Sequence, residues 1–339
     1  LQMHGIKAFG PTKAAAEIES SKAFAKNLMR KYNIPTADYA VFEDYEAARA
    51  YIETRPAPMV VKADGLALGK GVLICETREQ ALEAAQSMPL ESRFGKSGSR
   101  IVVEEFMTGP EVSVLAFCDG KTVVPMVSAQ DHKRAFDGDR GLNTGGMGTF
   151  SPSRVYTPQL AEQCMETIFI PTVRAMQLEG RPFKGVLYFG LMLTPDGPKV
   201  LEYNARFGDP ETQVVLPRLK SDLLEIFLAC IDGTLDQTEV LWYDNAAVCV
   251  VMASGGYPEK YQTGYPISGL NAFAGSEDVF VYHAGTKKAE DGTLRTAGGR
   301  VLGVTAVAKN LDCAIEKAYA AVSLVSFQDA HYRRDIGVK

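Results

Sequence analysis

Residues 185–203 carry the pattern of a β-hairpin, the feature that most restricts the folds open to this chain. Two apolar runs, 185–193 and 198–203, flank a turn at 194–197 that reads Thr-Pro-Asp-Gly and favours a tight reversal. Similar short runs alternate with helical patterns along most of the chain, so we expect an α+β or α/β fold. The other predicted strands are 59–63, 71–75, 100–106, 111–118, 122–126, 246–252, 279–283 and 301–307. One or two helices are predicted over 12–32, and further helices at 77–88, 158–178, 221–231 and 311–325.

The second strand of this hairpin ends in polar side chains. Because side chains alternate along a strand, Glu202 and Asn204 are expected on one face. A carboxylate and an amide oxygen side by side suit Mg²⁺, which takes few protein ligands and completes its shell with water and phosphates. Arg206 continues that face if the strand persists, and its guanidinium would stabilise a phosphoryl group in transfer. A polar strand edge with surface salt bridges is the alternative.

A glycine-rich segment, 62–72, spans the end of the first predicted strand, the turn after it and the start of the second strand. It contains Lys62, Gly69, Lys70 and Gly71, a composition suited to backbone N–H and ammonium groups that approach phosphate oxygens. It is not a Walker A loop, because the spacing is one residue short and a glycine replaces the Ser/Thr. It is not a dinucleotide-binding turn, since a strand follows. A tight hairpin explains the same residues.

The strand predicted at 100–106 ends in Glu104, Glu105 and Phe106, and Glu111 follows a Gly-Pro turn. Ionised carboxylates accept hydrogen bonds from ribose hydroxyls or an adenine amino group, so this segment would form one wall of a nucleotide pocket. Solvated charges at a strand end explain it equally well.

The segment 129–152 is predicted as a polar loop rich in Gly, Asp and Asn. It begins with Asp131, His132 and Lys133 and nearly closes with 143–148, which reads Asn-Thr-Gly-Gly-Met-Gly. Structureless loops of this length are uncommon in compact domains and are usually functional. A flexible linker is the alternative.

Composition excludes several classes of protein. The formal net charge of −5 argues against broad contact with nucleic acid or an anionic membrane. Six cysteines without a C-x-x-C pair predict free thiols in a reducing compartment. No apolar stretch approaches the ~20 residues of a membrane span, and no signal-peptide pattern opens the sequence, so we expect a cytoplasmic protein. The four histidines show no zinc-binding spacing, and no Gly-x-Ser-x-Gly motif indicates a serine hydrolase.

The order and spacing of these motifs resemble the phosphoribosylamine–glycine ligase family of ATP-grasp enzymes over essentially all 339 residues. Three strings are specific to that family rather than to ATP-grasp enzymes in general: 131–134 (Asp-His-Lys-Arg), 143–148 and 206–211 (Arg-Phe-Gly-Asp-Pro-Glu). The resemblance implies an ATP-grasp fold. It also implies a reaction in which glycine, ATP and 5-phosphoribosylamine give glycinamide ribonucleotide, ADP and phosphate through a glycyl phosphate, in de novo purine biosynthesis.

The resemblance further implies a role for each candidate residue. Glu202 and Asn204 would hold Mg²⁺ or Mn²⁺, and the catalytic residues would be Arg206, Lys70 and Asn143. ATP would be bound by Lys22, Lys62, Gly69, Lys70, Gly71, Glu104, Glu105, Phe106 and Glu111. Glycine and the amine would be bordered by Asp131, His132, Lys133, Gly145, Gly146, Met147, Arg206 and Asp209.

Four parts are expected on the same basis. They are 1–39, a remnant of an N-terminal domain; 40–107, a lid subdomain; 108–244, the main subdomain with the metal site; and 245–339, a C-terminal α+β domain. The family's N-terminal βαβ segment, which helps bind phosphoribosylamine, is absent from this sequence, so we expect a shortened chain that keeps the ATP site and is a poor or inactive ligase. The expected partners are small molecules, with no nucleic acid or membrane, and the expected state is a monomer or weak homo-oligomer.

One departure from ATP-grasp enzymes concerns the metal. Many of them carry a second metal carboxylate about a dozen residues before the position of Glu202, but residues 187–192 contain no acid. Two alternatives to the glycine ligase stay open: another ATP-grasp carboxylate–amine ligase, or a catalytically silent ATP-binding fragment.

Overall fold

The computed structural model describes residues 4–65, 71–88 and 100–338. Two compact units divide the chain. Unit 1 comprises Leu1–Pro125, Thr157–Phe207 and Leu224–Thr238, and unit 2 comprises Met126–Tyr156, Gly208–Leu223 and Glu239–Lys339.

The regular elements within the described residues are as follows. The α-helices are α1 (Glu17–Ser20), α2 (Lys22–Lys31), α3 (Tyr45–Glu53), α4 (Arg78–Ser87), α5 (Pro158–Cys164), α6 (Ile170–Leu178), α7 (Thr212–Val215), α8 (Leu223–Asp232) and α9 (Leu311–Val322), with a π-helical turn at Met165–Phe169. The strands are β1 (Tyr39–Phe42), β2 (Met59–Ala63), β3 (Val72–Cys75), β4 (Ile101–Glu105), β5 (Glu111–Asp119), β6 (Val123–Pro125), β7 (Gln130–Asp131), β8 (Arg134–Phe136), β9 (Arg140–Asn143), β10 (Gly148–Ser151), β11 (Lys184–Thr194), β12 (Gly197–Asn204), β13 (Ala246–Ser254), β14 (Val279–His283), β15 (Thr286–Lys288), β16 (Leu294–Thr296), β17 (Arg300–Ala308) and β18 (Ala330–His331).

The first sheet of unit 1 has the strand order β1-β4-β2-β3, and every neighbouring pair is antiparallel. Helices α3 and α4 cover it with small and aliphatic side chains such as Ala48, Ile52 and Ala81. Side chains at the helix N-termini define where these helices begin, because Asp44 and Thr77 accept hydrogen bonds from backbone N–H groups of the first turn.

The second sheet of unit 1 has the order β12-β11-β5-β6. Strand β11 lies inside this sheet and is buried along most of its length, which explains its nearly unbroken apolar sequence. Phe169 of the π-helical turn packs on Phe189 of β11, with ring centroids 4.5 Å apart. The hairpin predicted at 185–203 is confirmed as β11 and β12. Thr36, just before β1, forms a parallel bridge with Val200 of β12 and so connects the two sheets of this unit.

Unit 2 is built on a sheet with the order β14-β17-β13-β10-β7, to which β18 adds on β13. Helix α9 packs on this sheet through Ala314, Ala318 and Val322, all buried in a core with Phe150 and Val304. Asn310 accepts a hydrogen bond from the N–H of Cys313 and so caps the N-terminus of α9. The strand predicted at 279–283 coincides with β14.

The prediction of a structureless loop at 129–152 is wrong. Strands β7 to β10 occupy most of this segment, and β8 and β9 form a hairpin. All four residues of β9 are exposed, so this strand carries none of the apolar alternation by which strands are recognised. Gly141 adopts φ +82°, a backbone conformation that favours glycine, within that hairpin. In the described part of the chain, no helix is both long and apolar enough to cross a membrane.

Candidate functional site

The end of β12 presents the two predicted metal ligands. Glu202 is exposed, Asn204 is half-buried, and they lie two residues apart on one strand, so their side chains share a face. Glu202 pairs with Gly190 of β11, where an added Cβ would come within 3.2 Å of Glu202 Cγ. Gly190 therefore leaves the space that the Glu202 side chain occupies. It falls in the stretch 187–192, which offers no second acidic ligand.

These two oxygen ligands fit a hard divalent cation that shares its shell with phosphates. The described residues contain no cluster of three or more His, Cys, Asp or Glu side chains suited to a metal. A site completed by substrate oxygens needs no such cluster, since Mg²⁺ is usually held by one or two protein groups with waters and phosphates. The open position of Glu202 is compatible with that coordination.

Arg206 lies beyond the end of β12 but still reaches Asn204, one of the two metal-ligand candidates. Its Nη2 is 3.4 Å from Asn204 Oδ1, and its Nε is 3.3 Å from Glu19 Oε1. The other oxygen of Glu19 accepts a hydrogen bond from the N–H of Ala205 at 2.8 Å. Glu19, a residue of α1 that sequence reasoning missed, thus holds Arg206 beside Asn204 although the strand has ended.

Glu104 lies between two ammonium groups. Lys62 and Lys26 each donate to Glu104 Oε2 at 2.9 Å, and all three residues are buried. Burial would raise the pKa of Glu104, but the charges and hydrogen bonds of Lys62 and Lys26 outweigh it and hold that pKa below its ordinary value. Burial lowers the pKa of Lys26 to about 8. The carboxylate is therefore stabilised in its ionised form.

Lys22 begins α2 and donates from Nζ to the carbonyl oxygen of Gly65 at 2.9 Å. Burial lowers its pKa, and the charge of Glu202 is the largest opposing influence. The charge of Lys62 acts on the pKa of Lys22 as well. Lys22 on α2 is thus influenced by the charges of two other predicted residues, one on β2 and one on β12.

Asp64 fixes the start of α2 and was not anticipated from the sequence. Its carboxylate, which is 3% exposed, accepts hydrogen bonds from Ser21 Oγ at 3.0 Å and from the N–H of Ala23 at 3.1 Å. Arg100 pairs with the same carboxylate at 2.7 Å. The sequence offered one signal for this role: Asp64 is a single acidic residue between an apolar strand and a glycine. A carboxylate buried at such a position needs several hydrogen-bond donors.

The remaining nucleotide-binding candidates differ in their burial and in their contacts. Glu105 accepts from the N–H of Asp38 at 3.0 Å and lies 3.4 Å from Lys199 Nζ. Phe106 is half-buried, and Glu111 is exposed at the start of β5. Gly71 is buried and accepts from the N–H of Ala63 at 2.8 Å. Gly69 and Lys70 lie outside the described residues.

In unit 2, His132 is held by a backbone ladder. Its N–H donates to Gly148, its carbonyl accepts from the N–H of Met147, and the carbonyl of Lys133 accepts from Thr144. The ladder sets Asp131, His132 and Lys133 against 144–148. Asp131 and Lys133 are half-buried, whereas Asn143 is exposed.

The imidazole of His132 is buried and is influenced by the charge of a nearby cation, Arg333. Burial, and then the charge of Arg333, lower its pKa to about 4. Its Nδ1 has no hydrogen-bond partner within the described ranges. Arg333 is fully buried and pairs with Asp139 at 2.9 Å and Asp335 at 2.7 Å. The ring is therefore neutral at physiological pH, and the sequence analysis assigned Arg333 no role in the site.

Arg300 connects the glycine pair, Gly145 and Gly146, to Asp209. The sequence analysis also missed this arginine. Its Nη1 donates to the carbonyl of Gly145 at 2.7 Å and to that of Asp209 at 3.0 Å, and its Nη2 lies 2.8 Å from Asp209 Oδ2. The hydroxyl of Tyr257 accepts from the N–H of Gly145 at 3.0 Å. The arrangement fixes the backbone of the glycine pair, in which Gly146 is buried.

Met147 is placed in the core. It is 0% exposed, its N–H donates to His132, and its carbonyl accepts from Val251. The side chain and both backbone groups of Met147 are thus engaged within unit 2, and its contact with a substrate stays a prediction.

Comparison with known protein families gives two matches that together cover most of the chain. Residues 20–212 match the model of the phosphoribosylglycinamide synthetase ATP-grasp (A) domain, and residues 247–339 match that of the phosphoribosylglycinamide synthetase C domain. The first match alone spans more than half of the sequence.

Curated relatives agree with these matches. A phosphoribosylamine–glycine ligase of Halalkalibacterium halodurans is 51% identical over 338 residues, which are 100% of this chain and 78% of the relative. One from Rhodopirellula baltica is 51% identical over 99% of this chain and 78% of its own length.

Solved structures extend the likeness to the fold. The crystal structure of a phosphoribosylamine–glycine ligase from Thermotoga maritima superposes with a TM-score of 0.88 at 37% identity, over 97% of this chain and 81% of that one. A biotin carboxylase from Campylobacter jejuni superposes with a TM-score of 0.73 at 16% identity, over 99% and 73%, and shows likeness of fold alone. The expected ATP-grasp fold is confirmed.

Proposed function

The chain belongs to the phosphoribosylglycinamide synthetase family, and on that premise we propose that it ligates glycine to 5-phosphoribosylamine. ATP is the energy source, and the products are glycinamide ribonucleotide, ADP and phosphate. The observation that carries this proposal is the group of charges in unit 1. Lys22, Lys62 and Glu202 come from three separate elements, and Arg206 is held beside Asn204. Cations with an open carboxylate suit a nucleoside triphosphate and its metal ion.

In the first step we assign, a carboxylate oxygen of glycine attacks the γ-phosphorus of ATP, the bond to the β-phosphate breaks, and ADP leaves. Lys22 and Lys62 would bind phosphate oxygens, with Lys70, Gly69 and Gly71 of the glycine-rich segment. Arg206 would stabilise the charge on the phosphoryl group in transfer, because Glu19 already holds its guanidinium in place. Glu202 and Asn204 would hold Mg²⁺ or Mn²⁺. Such an ion would neutralise charge on the phosphates.

In the second step, the amine nitrogen of phosphoribosylamine attacks the carbonyl carbon of glycyl phosphate, phosphate leaves, and the nitrogen gives up a proton. We assign this chemistry to side chains and backbone groups of unit 2, with Asn143 as a catalytic residue. The candidates for contact with glycine and the amine are Asp131, His132, Lys133, Gly145, Gly146, Met147 and Asp209, and Arg206 of unit 1 is a further candidate.

The nucleotide base would lie near β4. Glu104 Oε1 is buried without a hydrogen-bond partner in the described part of the chain. A buried acceptor of this kind is costly unless a donor reaches it, and an adenine amino group is such a donor. Glu105, Phe106 and Glu111 complete the proposed binding of adenine and ribose.

The remaining assignments are also proposals. We keep the division into 1–39, 40–107, 108–244 and 245–339, a cytoplasmic location, and a monomer or weak homo-oligomer that acts on small molecules without nucleic acid or membrane partners. The net charge of −5 supports the proposal that nucleic acid and membranes are not partners.

ADP release with Mg-ATP tests the reaction. Three mixtures are compared, with glycine alone, with phosphoribosylamine alone and with both. Release that needs both substrates supports the proposal. Release driven by a different carboxylate would make the chain another carboxylate–amine ligase. Binding of ATP without turnover would fit either a silent ATP-binding fragment or an inactive ligase.

A further inference from the structure

Lys26 is a buried charge for which the proposed reaction has no direct use. It lies one turn after Lys22 on α2 and is 2% exposed. Its ammonium group donates to Glu104 Oε2 at 2.9 Å and to Thr36 Oγ1 at 2.8 Å. Removing an ammonium group from water is costly, so these contacts must offset a large desolvation penalty. A lysine at this position therefore calls for an explanation beyond packing.

The oxygen that Lys26 contacts is shared. Lys62 donates to the same Oε2 of Glu104 at 2.9 Å, so one carboxylate serves two ammonium groups. The trio carries a net charge of +1 when all three groups are ionised. Were Lys26 absent, Glu104 and Lys62 would neutralise each other, and the surplus positive charge would be lost. A surplus cation beside a candidate phosphate contact favours a polyanionic ligand.

Lys26 also anchors this trio to the second sheet of unit 1. Thr36 Oγ1 accepts from Lys26 and donates in turn to the carbonyl of Val200 in β12 at 2.7 Å. The N–H of Val200 donates to the carbonyl of Pro35 at 2.8 Å. A continuous path therefore runs from β12 through Thr36 and Lys26 to Glu104 on β4.

We propose that Lys26 is a positioning residue for ATP binding, acting through Glu104 on Lys62. It holds the Glu104 carboxylate ionised and fixed, and Glu104 in turn fixes the ammonium group of Lys62. This inference rests on the proposed function, in which Lys62 contacts ATP phosphates. Lys26 itself touches no substrate in this assignment.

The test is the affinity for a non-hydrolysable ATP analogue with Mg²⁺, measured by titration calorimetry on the full chain. Lys26→Met keeps the length of the side chain and removes its charge. The matched control is Lys31→Met, on the same helix, where the ammonium group is exposed and pairs with Glu179. We expect Lys26→Met to raise the Kd at least about tenfold, the usual scale for truncating one partner of a buried charge pair, and Lys31→Met to leave it within twofold.

A purely structural Lys26 would lower the melting temperature and leave the Kd unchanged, and that result would overturn the proposal. If Lys26→Met does not fold, Thr36→Val decides, since it removes the hydroxyl that orients the ammonium group and leaves every charge in place. A weaker affinity in Thr36→Val supports the proposal, and an unchanged Kd refutes it. Binding is measured without turnover. If the chain binds the analogue but ligates nothing, the proposed reaction is wrong, and the role of Lys26 in ATP binding is still tested.

Discussion

Arg300 and Asp209 meet at two points: Arg300 Nη2 lies 2.8 Å from Asp209 Oδ2, and Nη1 donates to the Asp209 carbonyl at 3.0 Å. The same Nη1 donates to the carbonyl of Gly145 at 2.7 Å. The planar guanidinium reaches these acceptors from two nitrogens in a fixed fork, a geometry that the single nitrogen of an ammonium group does not reproduce. Arg300 thereby links two segments that we assign to glycine and the amine.

Arg300→Lys should therefore weaken substrate use selectively. Hydrogen bonds to charged groups contribute about 1.5–3 kcal/mol each, so loss of one should raise the KM for glycine or phosphoribosylamine roughly tenfold or more. The KM for ATP should stay within twofold. Steady-state kinetics with each substrate varied in turn measures this, and Arg295→Lys, at an exposed pair with Asp291, is the control. An equal rise in all three KM values would contradict the assignment.

Glu19→Gln should lower turnover while leaving the fold intact. The amide keeps an acceptor for the N–H of Ala205 but loses the charge that holds Arg206. Since Arg206 is assigned to the phosphoryl group, we expect kcat to fall by about tenfold, less than the effect of deleting a direct transition-state contact. Glu17→Gln, on the same short helix, breaks only a pair with Arg181 at partly exposed side chains and should leave kcat unchanged. Similar kcat values for Glu19→Gln and Glu17→Gln would show that Glu19 has no role in the site.

Glu202→Gln should abolish most metal-dependent turnover without unfolding the protein. Its side chain is exposed, and a metal ligand at an open position contributes little to folding. We expect kcat to fall on the order of a hundredfold or more, the scale seen when a transition-state electrostatic contact is removed. Turnover against Mg²⁺ concentration, with the melting temperature, provides the readout. Glu162→Gln, exposed on α5, serves as the comparison, and wild-type turnover in Glu202→Gln would show that the metal assignment is wrong.

The parts predicted correctly from the sequence are those that depend on local pattern. Strands β11 and β12 show apolar runs around a turn motif, and Glu202 and Asn204 share a face because they are two residues apart. Strand β9 was missed because it is exposed along its whole length and has no apolar face. Apolar runs therefore sufficed for β11, β12 and β14. They failed for the polar hairpin and also for β1 and β10, two strands of the core sheets that no predicted strand covers.

The missed site residues act over long separations in sequence. Arg300 contacts a glycine 155 positions away, and Glu19 contacts Ala205 across 186 positions. Lys26 follows Lys22 by one helical turn and looks like part of a solvated face until Glu104 is placed against it. No local pattern encodes such pairings, because they arise only when the sheets assemble.

The buried His132 should make unit 2 less stable in mild acid. Burial and the charge of Arg333 lower its pKa to about 4, against an ordinary 6.5. Between these values the unfolded chain takes up a proton that the folded chain refuses, so stability falls as the pH drops from 6.5 towards 4 and is unaffected above 6.5. At pH 5 the free energy of unfolding is lower by about 2 kcal/mol because of His132.

Urea unfolding followed by the fluorescence of Trp242, the single tryptophan, measures this effect, because Trp242 and His132 both belong to unit 2. In the wild type the free energy of unfolding should drop between pH 7 and pH 5. His132→Gln carries no titrating ring, so its drop should be smaller by the amount that His132 contributes. The pairing of Asp335 with Arg333 does not mimic this loss: burial would raise the Asp335 pKa, but the hydrogen bonds from Arg333 and the N–H of Gly138 hold it below its ordinary value, so its contribution is lost only at lower pH. Equal drops in the two proteins would contradict a lowered pKa of His132 in the folded state.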